Sequence, residues 1–446
     1  MILKANRMFL YDLISNEISP FSQFYDRVFL WKEPKPQVNI LFDKIKCNFK
    51  REVSGIDEFP DISDEQDQRS ILLLDGVFNY HHDIQALMEK FNAKMSRTSR
   101  LVVVAYNPYL QWLYRLANMA GIRKGPLPDN FITKNSLKNI AKLTGFECVF
   151  IRPVAFCPIK IFGIEKLLNW LAPIIPGIRW LSTAAVIVLR PIKTGKQRPS
   201  LSVIIPARNE KGNIENAVVR LNSLHGIPME IIFVEGHSHD GTWEEILRVK
   251  EKYSQRLKIN ALKQPGKGKN DAVRTGFAKA SCHLLTILDA DLTTEPEFLN
   301  RFYEAYCSGL ADFVNGNRLT LPMDRKAMRP LNRLGNIFFA KALSSLLSIN
   351  ISDSLCGTKL LTKSDYERFN NWREMFGKFD PFGDFELLFP AAVLCLGIID
   401  IPVIYRSRTY GKTNIHRFRD GWMLLKMIII GLLRIKAGRI KIGKTK

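Results

Sequence analysis

Short apolar runs alternate with amphipathic segments along most of this chain. An apolar run of four to eight residues predicts a buried strand, and apolar residues three or four apart predict a helix. In the first part, the predicted strands are 71–74, 101–105, 145–150 and 184–189, and the predicted helices are 83–93, 109–120 and 136–143. Residues 1–70 have only weak periodicity. The alternation of strands with helices predicts a doubly wound α/β domain.

The same alternation continues after residue 200, with a polar loop after each apolar run. The predicted strands are 201–205, 229–234, a short strand near Ile259, and 284–288, with helices at 212–224 and 242–253. In a parallel sheet, loops that follow the strands meet at one edge, where ligands bind. Four such loops predict a nucleotide site.

A linker from Pro191 to Pro199, with three basic residues and Gly195, separates the two patterns. We therefore predict a first domain at 1–195 and a second at 196–415. A basic segment at 416–446 follows.

The net charge of +22 is unevenly distributed, because residues 401–446 hold twelve Lys or Arg and one acid. Such a tail suits nucleic acid or anionic lipid. Basic residues do not interleave with aromatic ones as in stacking platforms, so we expect no nucleic-acid partner. Seven cysteines without zinc spacing and an N-terminus without a signal-peptide pattern lead us to expect a cytoplasmic protein.

Asp289 and Asp291 come directly after the apolar run 284–288. At the end of a parallel strand both carboxylates can turn toward one site, and hard oxygen ligands suit Mg²⁺ or Mn²⁺. The alternative is that Asp291 caps the helix predicted to begin near Pro296. The neighbouring loops favour the metal.

Two of those loops have their own physical interpretation. Pro206 fixes the turn after the strand 201–205, and Glu210 can accept hydrogen bonds from ribose or base groups. Glu210 could also serve only as a helix N-terminal charge. The loop Gly266-Lys-Gly-Lys269 has the glycines of a phosphate-binding loop but lacks the full P-loop spacing, and the alternative is a solvated loop.

The ordered motifs Pro206-Ala-Arg-Asn-Glu210, Ser238-His-Asp-Gly-Thr242, Gly266-Lys-Gly268 and Asp289-Ala-Asp291 resemble glycosyltransferase family 2, with its nucleotide-sugar-binding GT-A fold. Further motifs at 315–318, 353–359, 385–386 and 408–413 make the segment 200–415 resemble the polyprenyl-phosphate sugar synthases, of which dolichyl-phosphate mannosyltransferase is the type. The chain departs from the family where Gly236 replaces a second acid after Glu235, and where Thr293 stands in a position that is often Gln.

The resemblance implies roles for individual residues. Nucleotide-sugar contacts would be Pro206, Ala207, Arg208, Glu210, Glu235, Lys267, Asp289 and Arg318. The metal ligands would be Asp289 and Asp291, and the catalytic residues Asp291, Asp353, Glu386 and Arg408. The acceptor phosphate would be held by Arg333, Arg408 and Thr413.

These roles imply an inverting, metal-dependent transfer of a sugar from a nucleotide-sugar donor to a polyprenyl phosphate or related lipid-linked acceptor. The alternative acceptor is a hydroxyl group of a glycan, which would require a carboxylate base.

The first domain resembles the C-terminal half of class I S-adenosylmethionine-dependent methyltransferases. The resemblance rests on the predicted strand that leads into Asp75, the one that leads into Asn107, and the segment 143–147. Residues 1–70 contain one glycine, Gly55, and no Gly-rich turn for close approach to the cofactor. We therefore expect an incomplete methyltransferase-like domain that binds no S-adenosylmethionine. A bifunctional methyltransferase and glycosyltransferase is the alternative.

The C-terminal segment predicts a helix at 421–433 that is too short to span a bilayer. Arg419, Lys426 and Arg434 align on one side, and Leu424, Leu425, Ile428 and Leu432 lie on the opposite arc. This pattern favours peripheral attachment to the anionic, cytoplasmic face of a membrane. The alternative is a helix packed within the second domain.

Overall fold

The computed structural model describes residues 2–32, 40–65, 68–121, 127–173, 175–195, 198–224, 226–324, 327–369, 383–408, 410 and 417–436. The chain has a mixed α/β fold with two sheets. Its residues form two compact units. The first is chiefly Met1–Lys193, and the second is chiefly Thr194–Ala392 and Leu396–Leu432.

The first unit contains six strands and six helices among its described residues. The strands are β1 (Arg27–Trp31), β2 (Phe49–Val53), β3 (Ser70–Asp75), β4 (Arg100–Tyr106), β5 (Phe146–Val154) and β6 (Ala184–Pro191). The helices are α1 (Ile2–Ser22), α2 (Ile40–Lys44), α3 (Ile84–Lys94), α4 (Gln111–Met119), α5 (Lys134–Leu143) and α6 (Ile164–Leu171), with a 3₁₀ helix at Pro176–Leu181.

The strands of this unit lie in the order β2-β1-β3-β4-β6-β5. The first four run parallel, and β6 is antiparallel to both β4 and β5. Apolar side chains alternate between two buried layers, one containing Leu72 and Leu74 and the other containing Ile71 and Leu73. A core on both faces is the doubly wound arrangement that the sequence predicts.

The second unit contains a larger sheet among its described residues. Its strands are β7 (Leu201–Ala207), β8 (Met229–Glu235), β9 (Lys258–Lys263), β10 (Leu284–Ile287), β11 (Phe313–Asn317), β12 (Lys359–Thr362) and β13 (Ile398–Pro402). Its helices are α7 (Ile214–Asn222), α8 (Thr242–Tyr253), α9 (Lys269–Lys279), α10 (Phe298–Cys307), α11 (Pro330–Leu347), α12 (Lys363–Arg368), α13 (Asp384–Val393) and α14 (Arg417–Gly431).

This sheet has the order β13-β11-β12-β10-β7-β8-β9. Strands β10, β7, β8 and β9 are parallel, and β12 is antiparallel to its neighbours β10 and β11. Successive strands step in one direction from β7 to β9, and then the chain returns to the other side of β7 with β10. The loops after β7 and β10 therefore flank a topological switch point, where α/β sheets bind ligands.

Helix α14 packs within the second unit on one face. Leu424, Met427 and Ile428 are buried, and Gly431 lies so close to Leu346 of α11 and Phe389 of α13 that a side chain there would collide with both. The predicted helix is confirmed, and part of its predicted apolar arc is core, while Lys426 is exposed as predicted. None of the described helices is long and apolar enough to cross a membrane.

Candidate active site

The two acids of the Asp-Ala-Asp motif follow β10 at the switch point. Lys269, in the first turn of α9, forms an ion pair with Asp289. Burial raises the pKa of Asp289, but Lys269 more than offsets this, so that the pKa lies below its ordinary value. Asp289 is therefore held as a carboxylate, the form in which it could bind a cation.

Asp291 does not cap the following helix, which begins at Phe298. Its Oδ1 atom accepts hydrogen bonds from the backbone N–H of Thr293 at 3.1 Å and from the Thr293 hydroxyl at 2.9 Å. Its Oδ2 atom lies 2.6 Å from Nη2 of Arg408. The helix-cap interpretation of Asp291 is thus wrong, because its side chain folds back on its own turn and faces Arg408.

Arg408 joins the two loops that flank the switch point. Its Nη1 atom lies 2.7 Å from Oε1 of Glu210, on the loop after β7, while Nη2 contacts Asp291. The backbone N–H of Arg406 donates to the Thr293 carbonyl at 2.9 Å, and this bond fixes the Arg408 segment beside β10. Burial raises the pKa of Glu210 to about 7, although Arg408 acts in the opposite direction.

The loops after β7 and β8 support each other. Glu235 is buried, and its carboxylate accepts the backbone N–H of Ser238 at 2.5 Å. Asp240 accepts from the backbone N–H of Thr242 and of Lys211 and from the Tyr410 hydroxyl, so it organises the turn. Of the predicted nucleotide contacts in these loops, Pro206 is half-buried, Ala207 is buried and Arg208 is exposed.

Three residues other than glycine have positive φ angles at these strand ends. They are Asn209 after β7 (55°), His237 after β8 (57°) and Leu292 after β10 (54°). Asn and His are found in the left-handed region more often than most residues other than glycine, whereas Leu is rare there. Strained backbone therefore collects at the carboxyl edge of three adjacent strands, which is common at functional sites.

Asp353 and Arg318 form a pair within the protein. Asp353 is fully buried, and Nε and Nη2 of Arg318 lie 2.8 and 3.0 Å from its two oxygens. Asn336 of α11 and the backbone N–H of Leu355 also donate to Asp353. Burial raises the pKa of Asp353, but the Arg318 guanidinium outweighs it and lowers the pKa to about 2. The pair fixes the loop before β12.

Glu386, at the start of α13, is held by α9. Nε and Nη2 of Arg274 lie 3.0 and 2.5 Å from its oxygens, and the Asn270 amide donates to it at 2.7 Å. A small cleft beside this cluster is lined by Lys269, Asn270, Arg274, Gly357, Asp384 and Glu386. The cleft joins the surroundings of Asp289 to those of Glu386.

Gly357 closes the site from the side of β12. A Cβ atom at this position would lie 2.7 Å from Oδ2 of Asp289 and would also collide with the Lys269 ammonium group. The motif 353–359 therefore needs glycine there, because its backbone lies close to Asp289 and Lys269.

Sequence reasoning did not find Lys269, Asn270 or Arg274 as site residues. Lys269 ends the Gly-Lys-Gly-Lys motif and begins α9. Its position, as a cation in the first turn of a helix near a strand end, is the signal that could have identified it. Lys267, which was predicted, is exposed, and so is Arg333 on α11. Thr413 lies outside the described residues.

The loops after β7, β8 and β10 of this site lie in a segment that matches a known protein family. The profile described as "Glycosyl transferase family 2" matches residues 202–369. The second unit contains a glycosyltransferase family 2 domain. The match covers β7 to α12 and thus the Asp289, Asp291 and Asp353 loops, which confirms the resemblance seen in the motifs of this part of the chain.

Relatives of this glycosyltransferase domain include two enzymes named for lipid phosphates. The chain is 38% identical to a dolichol-phosphate mannosyltransferase from Pyrococcus furiosus over 119 residues, which are 26% of this chain and only 33% of the relative. It is 26% identical to a dolichyl-phosphate hexose transferase from Haloferax volcanii over 229 residues, 51% of this chain and 92% of the relative. A mannosyltransferase from Pyrobaculum calidifontis, solved with GDP-Man and Mn²⁺, is 18% identical, with a TM-score of 0.38 over 59% of this chain and 73% of its own.

Proposed function

We propose that the second unit transfers a sugar from a nucleotide-sugar donor to a polyprenyl phosphate, with inversion and with a divalent metal, Mg²⁺ or Mn²⁺. Its relatives named for dolichyl phosphate support this acceptor class. The observation that carries the proposal is that both candidate bases, Asp353 and Glu386, are paired with arginines. A phosphate acceptor is already an anion at neutral pH and needs no base, whereas a hydroxyl acceptor does.

The donor set fits a divalent cation. Asp289 and Asp291 supply two hard carboxylate oxygens at one strand end, and the oxygens of a diphosphate would complete the coordination. These two residues would hold the metal, which when bound offsets the charge of the departing nucleoside diphosphate. The described residues contain no cluster of three or more acids, histidines or cysteines that could hold a metal ion, so the diphosphate would have to supply further ligands.

The protein groups around this position bind anions. Lys269 and Arg408 pair with the two acids, and guanidinium forks match phosphate oxygens. In the reaction the bond from the anomeric carbon to the donor diphosphate breaks, and its electrons leave with the diphosphate. A bond from the acceptor phosphate oxygen to the same carbon forms on the opposite face. Lys269 and Arg408 orient the diphosphate and stabilise the charge that develops on it.

We propose roles in donor or acceptor binding for the remaining predicted contacts. We assign Glu210 and Glu235 to the nucleoside side, beside the exposed Arg208 and Lys267, and Arg333 and Thr413 to the acceptor phosphate. Arg318 acts through Asp353 as a positioning residue for the loop that contains Gly357.

The test compares acceptors. Purified full-length protein is incubated with radiolabelled nucleotide sugars and Mn²⁺, and with either a short-chain polyprenyl phosphate or the matching polyprenol. We expect product only with the phosphate. Transfer to the polyprenol, or to a glycan hydroxyl at an equal rate, would contradict the proposal.

We propose further that the first unit is an incomplete methyltransferase-like domain without a cofactor site. Asp75 lies at the carboxyl end of β3, where a ligand of an α/β sheet would bind, but it is buried and hydrogen-bonded to Tyr11 of α1. No glycine directly follows β1, the neighbouring strand. Addition of S-adenosylmethionine to the full chain should leave its melting temperature unchanged, and a concentration-dependent rise would contradict this.

We also propose that α11 and α14 attach the second unit to the cytoplasmic face of a membrane. Trp422 and Ile429 on α14, and Leu331, Leu334 and Phe338 on α11, expose large apolar side chains. Because α14 also contributes to the core, its deletion would unfold the unit, so the test uses Trp422→Ser with Ile429→Ser. Flotation with anionic vesicles should fall, and unchanged flotation would mean that this helix serves the fold alone.

A further inference from the structure

Helix α6 in the first unit buries its polar side and exposes its apolar side, the reverse of an ordinary surface helix. Glu165 is buried and Asn169 half-buried, while Ile164, Leu167, Leu168 and other apolar residues of the helix are exposed. In a soluble domain the apolar side of a helix faces the core. This eight-residue helix therefore presents an apolar surface on its outer side.

The polar side of α6 is satisfied inside the unit. Oε2 of Glu165 accepts the backbone N–H groups of Ile161 and Gly163 at 2.9 and 2.8 Å, and the Asn169 amide donates to the Cys157 carbonyl at 2.8 Å. These bonds fix the loop before α6 and hold the helix in this orientation. The hydrogen bonds of the fold therefore keep the apolar side of α6 exposed.

Neighbouring segments extend the apolar surface. The Asn107 amide, just before α4, donates to the Trp180 carbonyl at 2.6 Å, and Nε of Arg179 donates to the Pro173 carbonyl, just after α6, at 3.2 Å. These bonds tie α4, α6 and the 3₁₀ helix together. Their exposed side chains include Tyr109, Trp112, Leu116, Met119, Trp170 and Trp180. We call this set, with α6 and the loop 157–163, the first-unit apolar face.

Phe162 stands at the tip of the loop before α6. Its side chain is fully exposed, and its φ angle is 46°, a left-handed conformation that is unfavourable for a phenylalanine. The hydrogen bonds from Ile161 and Gly163 to Glu165 lie on either side of it. The loop therefore holds Phe162 in a strained backbone conformation, with its ring exposed.

The charges of this face are of one sign. Arg115, Lys160 and Lys166 are exposed, and Glu165, the acid within the described segments 108–121, 157–173 and 175–181, is buried. Tryptophan and tyrosine prefer the boundary between hydrocarbon and water, and basic side chains beside them contact anionic headgroups. Lysine is depleted at protein interfaces, whereas Lys160 and Lys166 are both exposed on this face.

We propose that the first-unit apolar face is a membrane-docking surface that inserts Phe162 and the outer side of α6 into an anionic lipid interface. The helix would lie in the plane of the interface, since about 12 Å of helix cannot cross a bilayer. This gives the first unit a function in attachment that requires no cofactor. It is independent of sugar transfer, because lipid binding needs neither donor nor acceptor.

The test is flotation of the full chain with vesicles of phosphatidylcholine containing about 30% phosphatidylserine, without substrates. The variant replaces Phe162→Asn, Ile164→Gln and Leu167→Gln. Asparagine tolerates the left-handed conformation, and all three side chains are exposed, so folding is preserved. The control changes three similarly exposed residues of the second unit, Val219→Gln, Leu247→Gln and Leu310→Gln.

We expect the membrane partition coefficient of the variant to fall about tenfold or more, with the control unchanged. Transfer to a water-soluble short-chain acceptor should be the same in both, so failure of sugar transfer and failure of docking are distinguishable. If the variant floats as well as the wild type, the proposal is wrong. It is also wrong if the wild type binds vesicles of phosphatidylcholine alone as well as it binds those that contain phosphatidylserine. A wild-type dimer that the variant converts to monomer in sedimentation would assign the face to a second copy instead.

Discussion

Nη2 of Arg408 lies 2.6 Å from Oδ2 of Asp291, so the second acid of the Asp-Ala-Asp motif is paired with a cation from a segment more than a hundred residues later in the chain. The other end of the same guanidinium contacts Glu210. A divalent cation that binds Asp291 must therefore share this carboxylate with Arg408 or displace it.

This competition predicts the effect of Arg408→Ala. Without donor, the variant should bind Mn²⁺ about two- to fivefold more tightly, because a partly exposed ion pair contributes about 0.5–1 kcal/mol. Sugar transfer should nevertheless fall, since the diphosphate loses a guanidinium partner. Free Mn²⁺ is measured by electron paramagnetic resonance. Arg406→Ala is the matched control, because Arg406 pairs with Glu295 instead. Equal Mn²⁺ affinity in both variants would rule out the competition.

Asp291→Asn should reduce transfer by roughly two to three orders of magnitude while the protein stays folded. The asparagine oxygen can still accept from Thr293, so the turn survives, but the charge that a metal requires is gone. Turnover is measured at saturating Mn²⁺, with Glu304→Gln as a control at an exposed ion pair. Near-normal turnover of Asp291→Asn would show that this acid is not a metal ligand.

Asp353→Asn should act on stability. It leaves the largely buried guanidinium of Arg318 without its counter-charge, and breaking a buried ion pair in this way typically costs about 3–5 kcal/mol. Urea unfolding of the second unit measures the loss, and Asp324→Asn, at an exposed acid that also accepts two hydrogen bonds, is the control. A variant with wild-type stability and no transfer would point to a chemical role for Asp353.

The pH dependence of the first unit should reflect Asp75. Burial raises the pKa of Asp75 to about 6, against an ordinary value near 3.8. Between these values the folded state holds a proton that the unfolded state has lost. The contribution of Asp75 to the free energy of unfolding therefore falls as the pH rises from about 4 through 6.

Asp75→Asn removes this loss, because the neutral amide can still accept from Tyr11. The variant should match wild type near pH 4 and be more stable by on the order of 2–3 kcal/mol at pH 8. Denaturant unfolding across this range measures the difference. A stability difference that does not change with pH would mean that Asp75 is not buried as a carboxylic acid.

The sequence was sufficient to predict the elements that repeat an apolar pattern. The strand before Asp289 and the helix α8 were predicted almost to the residue. Strand β2 was missed because its Phe-Lys-Arg-Glu-Val segment lies at the edge of the sheet, where one of its five residues, Val53, is buried. An edge strand needs no continuous apolar run, so no periodic signal marks it.

The residues of the candidate site likewise include some that the sequence predicts and some that it does not. The positions of Asp289 and Asp291 follow from local order, because a strand end fixes where the next residues lie. The partners of the acids do not, since Arg274 and Glu386 are 112 residues apart, and Arg318 and Asp353 are 35 apart. These contacts depend on how α9, α13 and the loop before β12 pack, and no spacing in the sequence encodes that packing.

The left-handed backbone at Asn209, His237 and Leu292 has a consequence for attempts to make this protein more heat-resistant. Each such residue typically costs on the order of 1 kcal/mol or more, and replacement by glycine would remove that cost. Glycine, however, increases the conformational freedom of the unfolded chain and would let the three loops sample other shapes. Stabilising substitutions are better made at exposed positions remote from these turns. The left-handed residues restrict the three loops to one conformation at the edge of the sheet.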